Sequence, residues 1–416
     1  MLKFLLSFSK KSLIPVLIIL PISVALSLFL VEKIVGFSLP QLTHNQAKQV
    51  SLRVSHKSDF LPSDLKPNQQ TTHIGNTYEF SYPVRINSLG YRMQEFSLEK
   101  PQDEFRILML GDSLTFGYGV EEKDNIPSLV EKKLNDYLAK NSINRKILII
   151  NAGFADGKSP DAYYLYLKKI GLDLNPDLII VNYFLNNDIS DLDDTVWEKV
   201  DQYGLPEKIS SKTTEVEEDY TKLKRPYQNW KLTIPVFRNS HLWVLFATSL
   251  ESKSPGTVSK VKKLLGIEDK LPLVTDRENE NCLFLDECSP KMHELFDRYL
   301  RLIQATAGLA RSHNVPIIVS LLPANPQVGQ IAQSQSEKPQ QQPQSEDFEP
   351  QKRIKQYLLE NQIEYIDPLS YVVDSNWSRY YYPKDGHPTV AGYAKLSQGY
   401  FDFLTEKWSI IDKIKQ

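Results

Sequence analysis

Cysteine is nearly absent: the 416 residues hold two, Cys282 and Cys288, too few for a thiolate metal finger or a framework of disulfides. Histidine is scarce as well. The seven histidines are scattered, none stands at ligand spacing from either cysteine, and Asp385 with His387 offers only two potential ligands, so no metal centre is implied. Charge of one sign is also missing. Lys and Arg number 49 against 51 Asp and Glu, with no basic run, which argues against a nucleic-acid partner. The glycine-rich stretch from Gly111 to Gly119 lacks the Gly-Lys-Ser/Thr ending that a phosphate-cradling loop requires. Around Ser113 the Gly-x-Ser-x-Gly pattern of a strand-to-helix nucleophile elbow is missing too. No cofactor is implied.

Long apolar runs are rare, and the one at Leu13–Val31 therefore stands out. It is just long enough to cross a bilayer as a helix, and Pro15 and Pro21 kink such a helix without excluding it. A cleavable signal peptide competes, but no Ala-x-Ala-like site follows; Glu32-Lys33-Ile34-Val35-Gly36 does. An uncleaved anchor is expected. Lys3, Lys10 and Lys11 precede the run, which places the short N-terminus in the cytoplasm and the rest outside. In that compartment Cys282 and Cys288 are expected to close a small local disulfide, two free thiols being the alternative.

Phe105–Val120 is the most informative segment. Ile107–Leu110 suits a buried strand and stops at Gly111-Asp112-Ser113, which puts Ser113 just past a strand's C-terminal edge, where open α/β sheets bind ligands. A hydroxyl is a weak nucleophile until a base takes its proton, and the base works best when a third group orients it. Asp385 and His387 flank a glycine in the turn-rich Tyr382-Pro383-Lys384-Asp385-Gly386-His387-Pro388, ahead of a helical pattern at Val390, Tyr393, Leu396, Tyr400 and Phe401. Taken alone, such an Asp-x-His is more readily a turn whose histidine caps a helix. Two more strand ends lie between these sites. Lys146–Ile150 runs into Asn151-Ala152-Gly153-Phe154-Ala155-Asp156-Gly157, and Asp177–Tyr183 runs into Phe184-Leu185-Asn186-Asn187-Asp188.

With these four strand ends in this order, the chain resembles the SGNH (GDSL-type) hydrolase superfamily, as a membrane-attached member. The likeness covers about residues 105–190 and 290–405, and Asn87-Ser88-Leu89-Gly90-Tyr91-Arg92 is similar to a segment of membrane-attached members. The resemblance implies Ser113 as nucleophile, His387 as general base and Asp385 as its orienting acid. It implies an oxyanion hole from the backbone N–H groups of Ser113 and Gly157 with the Asn187 amide. The sequence departs from the family pattern in places. Lys384 stands three residues before the histidine, where the acid often is, and Leu185 replaces the usual glycine of the third block. In the second block the glycine position falls on Asp156 counted from Asn151 and on Gly157 counted back from Pro160-Asp161; Gly157 is chosen. Asn186 competes with Asn187, which abuts the aspartate as the motif requires.

Alternating patterns predict strands at 105–110, 146–151, 177–183, 315–322 and 363–367, with helices at about 126–140, 160–171, 291–313 and 351–361. That is an α/β chain, and the resemblance makes it a three-layer, flavodoxin-like fold on a five-stranded parallel sheet, with an inserted helical cap and an N-terminal transmembrane helix. Residues 1–36 form the cytoplasmic tip and anchor, 37–104 a stalk and lead-in strands, and 105–190 with 291–416 the two parts of the hydrolase domain. The insertion at 191–290 is expected to cap the ligand edge or simply to decorate the surface. The Gln- and Ser-rich 327–350 lacks the apolar residues that offset ordering entropy and is expected to be disordered. The expected activity is cleavage of carboxylic (O-acyl) esters outside the cytoplasm. One alternative is an O-acyltransferase acting on cell-surface polysaccharide with the same residues; the other is a non-catalytic glycan-binding or surface-assembly protein.

Overall fold

All eight residues of Glu104–Gly111 are buried, as in an interior strand of a sheet covered on both faces. In a computed structural model of the chain this strand is β1. It is followed by β2 (Lys146–Gly153), β3 (Leu178–Phe184), β4 (Ile317–Leu322) and β5 (Glu364–Ile366). The five strands pair in parallel in the order β5-β4-β3-β1-β2. This is the flavodoxin-like order, whose direction of winding reverses at β1 and leaves a crevice at that strand's C-terminal end. The structure describes residues 10–41, 43, 54–56, 58–75, 79–154, 159–185, 187–211, 235–253, 282, 288–337 and 349–415.

Helices cover both faces, and the strand's two-residue period decides which side chain meets which layer. Leu108 and Leu110 of β1 join Tyr163 and Leu167 of α3 (Pro160–Lys169) and Phe296 and Tyr299 of α4 (Pro290–Ser312) in one core. Ile107 and Met109 face the other way. They pack with Val130 and Leu134 of α2 (Ile126–Lys140), Val328 and Ile331 of α5 (Asn325–Glu337), and Leu396 and Tyr400 of α7 (Val390–Asp402). The helix α6 (Glu349–Glu360) adds Ile354 and Leu358 to the first core. Local signals start these helices where they begin. Asn125 accepts the N–H of Ser128 at the head of α2, Ser289 that of Met292 before α4, and Thr389 that of Gly392 before α7.

Three expectations change. The segment expected to be disordered is partly helical: α5 runs through Glu337, because Val328 and Ile331, spaced one turn apart, are both buried in the second core. Residues 338–348 lie outside the described residues. Within the expected stalk and lead-in, 37–104, packed structure is present from Val54 on. Gln70–Ile74 pairs antiparallel with Ser81–Arg85, and Val54 and Leu65 are buried with Phe80, Tyr82, Val84, Ile86 and Phe116. The insertion also divides. Thr195–Val200 and Pro206–Ser211 form a hairpin in the same compact unit as the sheet. Pro235–Arg238 and His241–Lys253 group instead with the N-terminal helix in a second unit.

That second unit is built on the helix Lys10–Ser38, 29 residues and about 43 Å long at ~1.5 Å per residue. From Ile18 to Ser38 its mean hydropathy is 2.2, and it is the one helix among the described residues long and apolar enough to cross a membrane. Cys282 and Cys288, in the unit that holds the sheet, form a disulfide.

Candidate active site

β1 ends at Gly111, and Ser113 opens the one-turn helix α1 (Ser113–Phe116). Asp112 sets this turn by accepting the N–H of Leu114 at 2.9 Å. Gly117 closes it in the left-handed region at φ 89°. The tight fit extends to β2: a side chain added at Gly153 would lie 2.2 Å from the backbone nitrogen of Phe116, so only glycine lets the second strand approach the turn that carries Ser113. Beneath it runs a buried chain of hydrogen bonds. Asn182 Nδ2 donates to Thr115 Oγ1 (2.8 Å), Tyr400 Oη donates to Asn182 Oδ1 (2.7 Å), and Ser320 Oγ then donates to Tyr400 Oη (2.6 Å). This chain ties α1 to β3, β4 and α7.

Across the crevice the loop before α7 brings its histidine to the serine. Ser113 Oγ lies 2.8 Å from His387 Nε2, and His387 Nδ1 lies 2.6 Å from Asp385 Oδ1. A carboxylate only accepts, so Nδ1 carries the proton and Nε2 keeps the lone pair that faces the serine hydroxyl. Gly386, at φ 85°, makes the sharp turn that lets two residues so close in sequence face each other. The turn is pinned by Tyr382 N–H to His387 O (2.9 Å) and Gly386 N–H to Tyr382 O (2.9 Å).

Asn187 stands at the end of β3 and lines the same cleft. Its Nδ2 donates to Asp191 Oδ2 at 2.8 Å, which fixes which end of the amide is which and leaves the second N–H free. Gly157 and Asp156 lie outside the described residues, as does Asn186. The cleft itself is about 460 Å³. Ser113, Asn187 and His387 form its floor with Tyr118, Phe184 and Lys384 among its walls.

Sequence reasoning missed four residues around this site. Glu79 accepts the backbone N–H groups of Lys384 (3.1 Å) and Asp385 (2.8 Å), clamping the turn that carries the acid. Arg92, fully buried, donates to the carbonyls of Phe116 (2.8 Å), Gly117 (2.6 Å) and Val120 (2.6 Å). The loop it holds presents Tyr118, whose ring lies 4.4 Å from that of His387. Asp191 orients Asn187. No periodicity or spacing pairs Glu79 with a turn 306 residues away. Only the Asn87–Arg92 segment carried a signal for Arg92, and it came from resemblance rather than from chemistry.

Two buried acids lie close to Ser113 in the fold. Burial pushes the Asp112 carboxyl up to about 6, opposed by its hydrogen bond from Leu114 and by His387. Burial, and next the nearby Asp112, push Asp188 well above the usual carboxylate range. Asp188 takes hydrogen bonds from Tyr163 Oη (2.9 Å) and Phe184 N–H (2.9 Å), so it braces the turn that carries Asn187 rather than facing the cleft.

No family model matches the chain, and no curated protein does. Solved structures to which it is similar are GDSL-type lipases, acylhydrolases and esterases. A lipase/acylhydrolase from Enterococcus faecalis is 12% identical, with a TM-score of 0.34 over 72% of this chain and 95% of that one. A member of the lipolytic protein G-D-S-L family from Veillonella parvula is 12% identical, at 0.34 over 73% and 99%. An acetylxylan esterase from Geobacillus stearothermophilus is 12% identical, at 0.36 over 73% and 95%. The chemistry that follows rests on this chain's own residues.

Proposed function

We propose that the chain is a membrane-anchored serine hydrolase of the SGNH type that cleaves carboxylic esters on the extracytoplasmic side. The observation that carries this reading is the unbroken Ser113–His387–Asp385 relay at the reversal point of the sheet, open to a cleft. Ser113 Oγ attacks the acyl carbon as His387 Nε2 takes its proton, and the alcohol leaves with that proton. Asp385 stabilises the imidazolium that forms between the two steps. Water, deprotonated by His387, then attacks the acyl-serine and releases the acid. The oxyanion of each tetrahedral intermediate is held by the Ser113 N–H at the head of α1, the free N–H of the Asn187 amide and the Gly157 N–H.

The N-terminal helix supports the anchoring. From Ile18 to Val31 its large apolar side chains are 41–61% exposed, a surface that a water-filled environment penalises and a bilayer does not. Lys3, Lys10 and Lys11 on its N-terminal side favour the catalytic unit outside. Ser113→Ala tests the mechanism: it should abolish hydrolysis of a short-chain aryl ester while leaving the thermal transition in place. Unchanged turnover by that variant would sink the mechanism. Supplying oligosaccharide alongside the acyl donor reads the fate of the acyl group, which is expected as free acid; acylated sugar would assign the same residues to transfer.

A further inference from the structure

Helix His241–Lys253 reads His-Leu-Trp-Val-Leu-Phe-Ala-Thr-Ser-Leu, with no charged side chain in its first ten positions. It begins against the far end of the N-terminal helix. The Glu32 carboxylate accepts the N–H groups of His241 (2.7 Å) and Leu242 (2.9 Å) and the Ser240 hydroxyl (2.7 Å), closing the helix's unsatisfied first turn. Gln41 N–H donates to His241 Nδ1 (3.0 Å), and the His241 ring lies over Gly36. Of the first helical turns only Val244 is buried. Trp243 and Phe246 lie one turn apart on another face with rings 6.1 Å apart, and Phe237 joins Trp243 at 4.8 Å.

The exposed residues of this unit are the wrong ones for water. Phe37 is 91% exposed, Val236 72% and Phe246 55%. Glu32 is the first residue after the apolar run Leu13–Val31. Its three hydrogen bonds therefore fix the first turn of the 241–253 helix at the level where the run ends. With Leu13–Val31 as the span that level is headgroup depth, where aromatic side chains concentrate because the surroundings are half wet.

We propose that residues 235–246 form a second membrane-contact element, seated in the outer interface beside the anchor, with Phe37, Val236 and Phe246 facing lipid and the half-buried Trp243 packed beside Phe246. The inference rests on the anchoring proposed above. It makes the protein touch the bilayer at two places some 200 residues apart in sequence. It also means that removing residues 1–36 leaves lipid-seeking surface behind.

The test uses the full chain in phosphatidylcholine vesicles, with and without bromines near the headgroup end of the acyl chains. Brominated lipid should lower the emission of the wild type, and Trp243→Phe should remove that difference. As a second readout, a nitroxide on Phe246→Cys should be relaxed more by oxygen than by a water-soluble nickel chelate; both native cysteines are in the disulfide and do not compete for the label. If the protein stays in the membrane fraction at high salt but neither readout reports lipid, the second contact is overturned while the anchor stands. If it leaves the membrane, the anchor falls and this inference with it. Spin–spin broadening between labels would assign Phe246 to a contact between two copies, which also overturns the proposal.

Discussion

Arg92→Met removes a guanidinium that has three backbone carbonyls as partners and no carboxylate in hydrogen-bonding reach. The methionine fills most of the volume, so the loss is one of hydrogen bonding rather than of packing. Burial lowers the Arg92 pKa, which shows that keeping this cation inside is itself costly; removing it returns part of that cost. Against this, the carbonyls of Phe116, Gly117 and Val120 lose their donor at 2.6–2.8 Å, and each unsatisfied buried acceptor costs about 1–3 kcal/mol. The stacking of the guanidinium on Tyr82 (4.9 Å) and Phe116 (4.7 Å) goes too, at about 1–2 kcal/mol for buried pairs. The balance is a net loss of about 2–4 kcal/mol, a large share of the ~5–15 kcal/mol that holds an ordinary domain together. The loop that relaxes carries Tyr118 against His387, so kcat should fall more than KM rises. Urea denaturation of the soluble catalytic region and steady-state turnover of an aryl ester measure the two effects. A variant that loses less than about 1 kcal/mol and keeps full kcat would refute the idea that Arg92 holds the nucleophile loop.

Glu79→Ala should lower kcat about tenfold or more with little loss of stability, because it frees the Lys384–Asp385 backbone, whereas Glu79→Gln, which keeps an acceptor oxygen, should recover most of the rate; equal rates for wild type and Glu79→Ala would contradict the clamp. Asn187→Ala should cost on the order of 10²–10³ in kcat with KM nearly unchanged, and Asp191→Ala a smaller part of the same loss, since it acts through the amide. The Asp112 carboxyl is raised in the folded state, so the folded protein holds its proton longer than the unfolded chain does, and stability falls as pH rises from about 4 to about 6. Asp112→Asn keeps a capping oxygen and should therefore be more stable than wild type above pH about 6, by up to about 3 kcal/mol, with the advantage vanishing below pH about 4 in pH-resolved thermal melts.

The five strands and their helices were legible because each is a short apolar run or a 3.6-residue pattern bounded by a cap. β1 was expected at 105–110 and spans Glu104–Gly111; α4 was expected at 291–313 and spans Pro290–Ser312. Ser113 was legible as a strand-end serine, and Asp385 and His387 through the family resemblance of their turn; the structure brings the three into one hydrogen-bonded series. What failed was whatever depended on a partner far along the chain. Val328 and Ile331 are too few to predict a helix until the core they enter is known. The lead-in strands were expected but their role was not, because it is carried by Glu79 and Arg92, whose partners are backbone groups with no sequence signature. The pairing of the helix at 241–253 with Glu32, more than 200 residues earlier, likewise has no signature in the sequence.

The most direct test of the central claim is covalent. A fluorophosphonate probe added to the wild-type protein should form one adduct per chain, mapped by mass spectrometry to Ser113, with ester turnover lost in proportion. His387→Ala should slow the labelling by several orders of magnitude, and Ser113→Ala should abolish it. An adduct on another residue, or ester hydrolysis that persists in fully labelled protein, would contradict the account.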